Sequence, residues 1–152
     1  MSERSIVHGT FTLERTYPVP PARVFAAWAD PAKKAKWFGD PGNEAPAEIF
    51  EFREGGREYS EGSAGGTTYT FDVRYHDIVP DNRIVYAYEM KLNGQRISVS
   101  VATIEFRPKG KDTQLVVTEM GAFLDGLDTN EQRRMGTEML IEQLGTYLAS
   151  TD

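Results

Sequence analysis

Apolar and polar residues alternate along the early part of the chain, which is the pattern of a half-buried β-strand. In the first such segment Phe11, Leu13 and Tyr17 share one face, with threonine and glutamate residues between them. The later segments with strand character are AEIFEF, REYSEG, TTYTFDVRYHDIV, RIVYAYEMKL, QRISVSVATIEF and TQLVVTEMGAF. The pattern therefore predicts six or seven strands.

Short turn sequences separate these segments. Gly55-Gly56 and Gly65-Gly66 provide residues that adopt positive φ at little cost, and Asn93-Gly94 is a strong signal for a two-residue hairpin. Links this short join antiparallel neighbours, whereas parallel strands need long crossovers. We therefore expect an antiparallel meander rather than alternating βαβ units.

Other segments have helical spacing. Val24, Phe25 and Trp28 lie on one helical face after a proline cluster, and Asp30-Pro31 begins a second short helix that ends before Gly39. The longest helix is predicted from Thr129 to Ser150. Its apolar positions are Met135, Met139, Leu140, Leu144, Tyr147 and Leu148.

The predicted sheet is wider than the predicted long helix. Strands lie about 4.8 Å apart, so six or seven of them span roughly 30 Å. One helix covers only about 10 to 12 Å of that width. The surplus indicates a curved sheet with an internal cavity between sheet and helix, and a cavity indicates small-molecule binding.

Composition is typical of one soluble domain, which we assign to residues 1–152. The chain is 39% hydrophobic and 26% charged, and it contains no cysteine. Its N-terminal residues lack the apolar stretch of a secretory signal, and no segment is apolar enough to span a membrane. We therefore expect a cytoplasmic location.

The charge of the chain excludes several classes of partner. A formal net charge of -6 repels nucleic-acid backbones, so we expect no nucleic-acid partner. With no cysteine and only His8 and His76, a transition-metal site lacks its preferred ligands. We expect no metal and no cofactor.

Several short motifs occur in a characteristic order and spacing. They are Ala22 to Phe25, Trp28, Asp30-Pro31, Trp37 to Gly39, Glu51 to Arg57, Tyr75 to Ile78, Arg83 to Tyr86, Thr103 to Phe106 and Thr113 to Leu115. In these motifs the chain resembles the START/SRPBCC superfamily, whose birch-pollen-allergen-like domains share the helix-grip fold. Within it, the chain resembles the branch of homologues of the activator of heat-shock protein 90 ATPase.

This resemblance implies an α+β fold in which a curved seven-stranded antiparallel sheet wraps around a long C-terminal helix. Two short helices lie between strands 1 and 2, and many members have a hydrophobic cavity. Members of the superfamily bind lipids, sterols, hormones or polyketides, and a minority catalyse cyclisation or dehydration. Activation of a chaperone ATPase belongs to proteins with an additional domain and is not carried over.

The candidate ligand-binding residues come from three regions. Trp37 and Phe38 either cover the mouth of the cavity or plug the end of the core. Arg57 either meets an anionic ligand group or is a solvated edge charge. The inward-facing sheet candidates are Tyr69, Phe71, Tyr86, Tyr88 and Met90, and the helix candidates, expected to face the sheet, are Met135, Gly136 and Met139. Core packing is the alternative explanation for all of these apolar and aromatic residues.

Two ionisable residues share the parity of apolar neighbours. Glu119 lies in phase with Leu115 and Val117, and Arg15 lies in phase with Leu13. Buried charges need partners. Because the first and last strands of this fold are neighbours, Arg15 and Glu119 are candidates to pair, or to act in acid-base catalysis. The alternative is that Glu119 is a strand-end carboxylate that reaches solvent.

Three functional hypotheses remain open. The first is a non-enzymatic protein that binds a small apolar or amphipathic molecule, such as a lipid, an aromatic compound or a polyketide-like compound. The second is a cyclase- or dehydratase-type enzyme that uses Glu119, Arg15 or a tyrosine. The third is a protein-interaction module of the co-chaperone kind, and a homodimer is a further possibility.

Overall fold

A computed structural model describes residues 4–39 and 46–150. The elements, in chain order, are β1 (Ile6–Tyr17), α1 (Pro21–Ala29), α2 (Pro31–Lys34), β2 (Ile49–Phe50), β3 (Arg57–Ala64), β4 (Thr67–Val79), β5 (Arg83–Leu92), β6 (Gln95–Lys109), β7 (Asp112–Leu124) and α3 (Asn130–Ser150). Each predicted strand is present, although β2 has only two residues where six were expected.

The strands form an antiparallel seven-stranded sheet in the order β1-β7-β6-β5-β4-β3-β2. Consecutive strands are neighbours except that β1 pairs with β7 at the far edge. The register shifts between Tyr75 and Asp77 and between Met90 and Lys91, and such irregularities increase the local bend and twist of a sheet. The predicted α+β helix-grip fold is confirmed.

The Asn93-Gly94 turn shows how the sequence fixes the register of a hairpin. Asn93 and Gly94 have φ values of 48° and 81°, in the left-handed region that asparagine and glycine tolerate best. The Asn93 side-chain oxygen also accepts a hydrogen bond from the Thr68 backbone N-H at 2.9 Å. This turn therefore also holds the start of β4.

Helix α3 lies against the inner face of the sheet. The Thr129 hydroxyl caps its first turn by accepting from the Gln132 backbone N-H at 3.1 Å. Further along, the Tyr17 hydroxyl donates to the Ile141 carbonyl at 2.6 Å. Gly145 allows this approach, because a Cβ there would lie 3.1 Å from the Tyr17 ring. The C-terminal half of α3 is thus fixed to β1.

Helices α1 and α2 cover one end of the core. The rings of Trp28 and Trp37 meet edge to face at 4.8 Å, and the Trp37 indole N-H donates to the Ala27 carbonyl at 3.0 Å. Gln143 on α3 donates to the carbonyls of Trp37 at 2.6 Å and Gly39 at 3.1 Å. These bonds attach the end of α2 to the long helix.

A buried ion pair joins α2 to β3. The Lys34 ammonium lies 2.8 Å from the Glu58 carboxylate, and both side chains are almost completely buried. The Tyr75 hydroxyl donates to the same carboxylate oxygen, and the Lys34 charge lies 4.3 Å from the centre of the Phe38 ring. This cluster positions Phe38 beside the space between sheet and helix.

Candidate functional site

A cavity of about 330 Å³ lies between the inner face of the sheet and α3. The sheet contributes Tyr69, Phe71, Tyr86, Tyr88, Met90 and Glu119 to its wall. The helix contributes Arg133, Gly136, Thr137, Met139 and Leu140, while Trp28 and Phe38 lie at the end formed by the short helices. Most of this lining is aromatic or aliphatic, with the polar groups on β4, β5, β7 and α3.

Aromatic rings form a continuous wall on the sheet side. The Phe38 ring lies 5.3 Å from that of Phe71, which in turn lies 4.9 Å from that of Tyr88. The Tyr88 ring lies 5.8 Å from that of Tyr86. Rings packed in this way offer a large apolar contact area and have few rotatable bonds.

Arg133 is the centre of a buried polar cluster at the edge of the cavity. It is 8% exposed, and its guanidinium donates to the Asp128 carboxylate and the Ser98 hydroxyl, each at 2.8 Å. It also donates to the Tyr88 hydroxyl at 3.0 Å and to Ser100 at 3.4 Å. The charge of Arg133 is therefore paired and hydrogen-bonded, as a buried charge requires.

Sequence reasoning missed Arg133, although a signal for it exists. The inward-facing positions of α3 follow helical spacing through Thr137, Ile141, Leu144 and Leu148. Arg133 lies four residues before Thr137 on the same stripe. An arginine on the buried stripe of a helix indicates an internal charge partner.

Glu119 belongs to this cluster. It is 4% exposed, accepts a hydrogen bond from the Tyr88 hydroxyl at 2.7 Å, and lies 3.8 Å from the Arg133 guanidinium. Burial raises the pKa of the Glu119 carboxyl, while the Tyr88 hydrogen bond and the Arg133 charge offset part of that shift. Burial also raises the pKa of the Tyr88 phenol, so it remains a neutral donor.

The comparison with known families decides the kinship of the chain. The sequence model described as Activator of Hsp90 ATPase homolog 1-like protein matches residues 18–150. The chain belongs to this family. The predicted kinship with the START/SRPBCC superfamily is therefore confirmed. A separate comparison with curated protein sequences found no match.

Solved structures of other members of this fold are similar over nearly the whole chain. An uncharacterized protein from Rhizobium leguminosarum is 40% identical, with a TM-score of 0.91 over 99% of this chain and 100% of that one. Mll3558 from Rhizobium loti is 46% identical, with a TM-score of 0.87 over 94% and 99% of the two chains. CV1439 from Chromobacterium violaceum is 26% identical, with a TM-score of 0.80 over 93% and 98%. These similarities agree with the observed fold, which is compatible with ligand binding.

Most of the site residues predicted from the sequence lie together at the cavity. Those that line it are Phe38, Tyr69, Phe71, Tyr86, Tyr88, Met90, Glu119, Gly136 and Met139. Met139 is nevertheless 61% exposed and lies at the rim. Trp37 is 2% exposed, does not line the cavity and packs on Trp28, so it plugs the core rather than covering the mouth.

Three candidate residues, Met135, Arg57 and Arg15, do not line the cavity. Met135 is 55% exposed and does not face the sheet, because it lies two residues after the inward-facing Arg133 and therefore about 160° around the helix from it. Arg57 forms a two-bond ion pair with Asp72, at 2.9 Å for each bond, and does not line the cavity. It is an edge charge.

Arg15 and Glu119 do not pair. The β1-β7 register places Phe11 opposite Glu119 and Leu115 opposite Arg15. The Arg15 guanidinium instead meets two carboxylates of α3, Glu142 at 2.7 Å and Glu138 at 3.1 Å. Those hydrogen bonds raise the pKa of Arg15, chiefly through Glu142. Arg15 therefore fastens β1 to the helix outside the cavity.

Residues 4–39 and 46–150 contain neither a metal-ligand cluster nor a membrane-spanning helix. No group of three or more histidine, cysteine, aspartate or glutamate side chains in these residues is arranged to hold a metal ion. No helix among them is long and apolar enough to cross a membrane.

Proposed function

We propose that the protein binds a small apolar or amphipathic molecule in the cavity between the sheet and α3. The observation that carries this proposal is the cavity itself, with a volume of about 330 Å³. Ligand sites in proteins occupy about 300 to 1,000 Å³. An apolar cavity of about 150 Å³ holds benzene, so this one, which has more than twice that volume, accommodates a molecule of two or three rings.

The lining indicates the chemistry of such a molecule. The aromatic wall of Phe71, Tyr86 and Tyr88 favours flat or aliphatic surfaces. Arg133 already faces Asp128 and Glu119, so its charge is matched within the protein. These features support a neutral aromatic, lipid-like or polyketide-like ligand over a strongly charged one.

Binding is tested with N-phenyl-1-naphthylamine, a neutral probe that becomes fluorescent in apolar surroundings. We expect saturable fluorescence with the wild-type protein. Val117→Phe places a ring in the cavity wall and abolishes the signal, because Val117 lines the cavity. Leu115→Phe, two residues earlier on the same face of β7 and away from the cavity, is the matched control and retains it.

Two results contradict the proposal. One is the absence of saturable fluorescence in the wild-type protein. The other is equal fluorescence in the wild-type protein and Val117→Phe, which means that the probe binds elsewhere. Far-ultraviolet circular dichroism of both variants confirms that each is folded.

Acid-base catalysis of the cyclase or dehydratase type is a second candidate function. The observation that favours it is the position of Glu119, a buried carboxyl with a raised pKa that lines the cavity. In such a step the carboxylate takes a proton from a carbon beside a carbonyl. The electron pair of that C-H bond moves towards the carbonyl oxygen and forms an enolate, and the proton then returns from Glu119 to carbon.

This reaction is tested with 2-tetralone in D₂O. We expect exchange of the acidic C-H positions faster than in buffer, because the protonated Glu119 carboxyl exchanges its proton with D₂O and then returns a deuteron to carbon. The faster exchange should disappear in Glu119→Gln. Equal exchange with Glu119→Gln and the wild-type protein refutes the catalytic role. Loss of exchange with retained probe binding in the variant supports it.

A protein-interaction role is supported by the outer face of the sheet. Val99, Val101 and Met120 are exposed there, and the β6-β7 register places Val101 opposite Met120. Neighbouring exposed apolar side chains are typical of protein contacts. A homodimer through this face remains a prediction.

A further inference from the structure

Two polar groups face each other across the inner surface of the sheet. Tyr86 on β5 is opposite Ala102 on β6, and Ala102 is opposite Glu119 on β7. Neighbouring strands are about 4.8 Å apart, so the backbones of Tyr86 and Glu119 are separated by roughly 10 Å. Only the short side chain of Ala102 stands between them in this row.

Each of these groups has an unused hydrogen-bonding position within residues 4–39 and 46–150. Of the Glu119 carboxylate, Oε2 accepts from Tyr88 and lies near Arg133, while no described group donates to Oε1. No described group hydrogen-bonds to the Tyr86 hydroxyl. Buried polar groups are normally hydrogen-bonded, so both positions need an occupant.

Both positions are open to the cavity. Within the described residues, the polar side-chain atoms that are closed to water and have no partner are Trp28 Nε1 and Asn130 Oδ1. Tyr86 and Glu119 are 6% and 4% exposed overall, and both line the cavity. Their unused atoms therefore face the space in which a ligand lies.

The chemistry of the two atoms is complementary to one functional group. An ionised carboxylate oxygen only accepts hydrogen bonds, whereas the phenol of Tyr86 donates one. A hydroxyl group can donate to Glu119 and accept from Tyr86 at the same time. We propose that the ligand of this cavity is a neutral, largely apolar molecule whose hydroxyl group binds between Glu119 Oε1 and the Tyr86 hydroxyl.

This inference rests on the proposed binding function and adds the polar group that the ligand carries. A carboxylate or phosphate group is disfavoured because Glu119 is itself negative and Arg133 is already paired with Asp128. An ammonium group is disfavoured because it would lose its hydration in an apolar cavity and meet the nearby Arg133 charge.

The test compares naphthalene probes of nearly the same shape at pH 7.5 by isothermal titration calorimetry. 2-Naphthol donates and accepts, 2-methoxynaphthalene only accepts, and 2-methylnaphthalene does neither. We expect 2-naphthol to bind about tenfold or more tightly than 2-methoxynaphthalene, because a hydrogen bond to a charged acceptor is lost in the ether. 2-(Aminomethyl)naphthalene is the cationic comparison and binds more weakly than 2-naphthol.

Two variants assign the preference to its atoms. Glu119→Gln presents an amide N-H₂ group to the cavity. Because 2-naphthol and the ether can both accept a hydrogen bond from this group, we expect the preference for 2-naphthol to fall below about threefold. Tyr86→Phe weakens the binding of 2-naphthol and of 2-methoxynaphthalene relative to that of 2-methylnaphthalene. Tyr17→Phe is the matched control: it removes a buried tyrosine hydroxyl that does not line the cavity, and leaves all probe ratios unchanged.

The outcomes separate this inference from the proposed function. If the three neutral probes bind equally well, or if the preference for 2-naphthol over the ether survives in Glu119→Gln, the hydroxyl site is refuted while cavity binding stands. Tighter binding of the amine than of 2-naphthol also refutes it. If no probe binds, both the inference and the proposed function fail.

Discussion

Replacing Arg133 by methionine tests the buried polar cluster most severely. Methionine keeps much of the length and apolar volume of the arginine side chain but removes its charge and all of its donors. The Arg133 guanidinium currently donates to Asp128 and Ser98 at 2.8 Å each and to Tyr88 at 3.0 Å. The substitution leaves Glu119 and Asp128 without their cation.

The magnitude follows from the burial of the groups left behind. Glu119 and Asp128 have side-chain exposures of 4% and 14%, so water replaces little of what is lost. Removing one partner of a buried ion pair costs about 3 to 5 kcal/mol. Domains are stable by only about 5 to 15 kcal/mol, so Arg133→Met removes a large share of the folding free energy.

A second substitution shows whether the cost arises from the unpaired charge. In Arg133→Met/Glu119→Gln the carboxylate is neutral, so we expect the double variant to recover about 1 kcal/mol or more of the loss in Arg133→Met. Arg134→Met is the matched control, because Arg134 is the next residue of α3, its side chain is 32% exposed and it pairs with the surface residues Glu131 and Glu138.

The assay is urea unfolding followed by circular dichroism at pH 7. Arg133→Met shifts the unfolding midpoint strongly downwards, Arg134→Met leaves it almost unchanged, and the double variant lies between them. A loss below about 1 kcal/mol in Arg133→Met contradicts the assignment of a buried, paired charge. So does a double variant that is no more stable than Arg133→Met.

The remaining predictions concern pH, the helix and the outer surface. Burial raises the pKa of Glu119 above 4.5 in the folded protein. Between pH 4.5 and the folded-state pKa, the folded protein therefore binds more protons than the unfolded chain. In that range Glu119 lowers the free energy of unfolding as pH rises. Urea unfolding should therefore show that the stability of Glu119→Gln relative to the wild-type protein increases from pH 4 to pH 7. A stability difference that stays constant over this range refutes the prediction. Gly136→Ala should raise the free energy of unfolding by about 1 kcal/mol, since a Cβ there meets nothing within 4 Å. Gly145→Ala should raise it by less, because its Cβ meets the Tyr17 ring at 3.1 Å. A fall in the melting temperature of Gly136→Ala contradicts this prediction. Sedimentation should show a dimer that Met120→Lys dissociates, and a monomeric wild-type protein excludes the homodimer.

The strands and the long helix could be predicted because their signals are local. Alternation in the segment around Phe71, Val73 and Tyr75 reports directly which side of a strand is buried, and Asn93-Gly94 specifies its own turn. The cavity wall follows from the same parity. Six of the predicted inward residues on β4, β5 and β7 do line the cavity.

The pairing of charges could not be read in the same way, because it depends on register and on how the helix crosses the sheet. The sequence does not reveal that Phe11 rather than Arg15 stands opposite Glu119. Nor does it show that Glu138 and Glu142 of α3 come within reach of Arg15. Long-range geometry of this kind exists only in the folded chain.

Helix faces are intermediate between these cases. An apolar residue at one position of α3 indicates burial only if its neighbours at helical spacing are also buried, and Met135 lacks that support. Arg133 was missed for the opposite reason, because an isolated arginine normally indicates a solvated position. Its spacing of four residues to Thr137 and eight to Ile141 is the better indicator.

The central claim is that the space between the sheet and α3 holds a small molecule. The most direct measurement is a crystal structure of the protein grown with N-phenyl-1-naphthylamine. We expect electron density for the probe against Phe71, Tyr86 and Tyr88, beneath Gly136 of α3. Side chains that fill this space, with the probe on the outer surface or absent from the crystal, would contradict the claim.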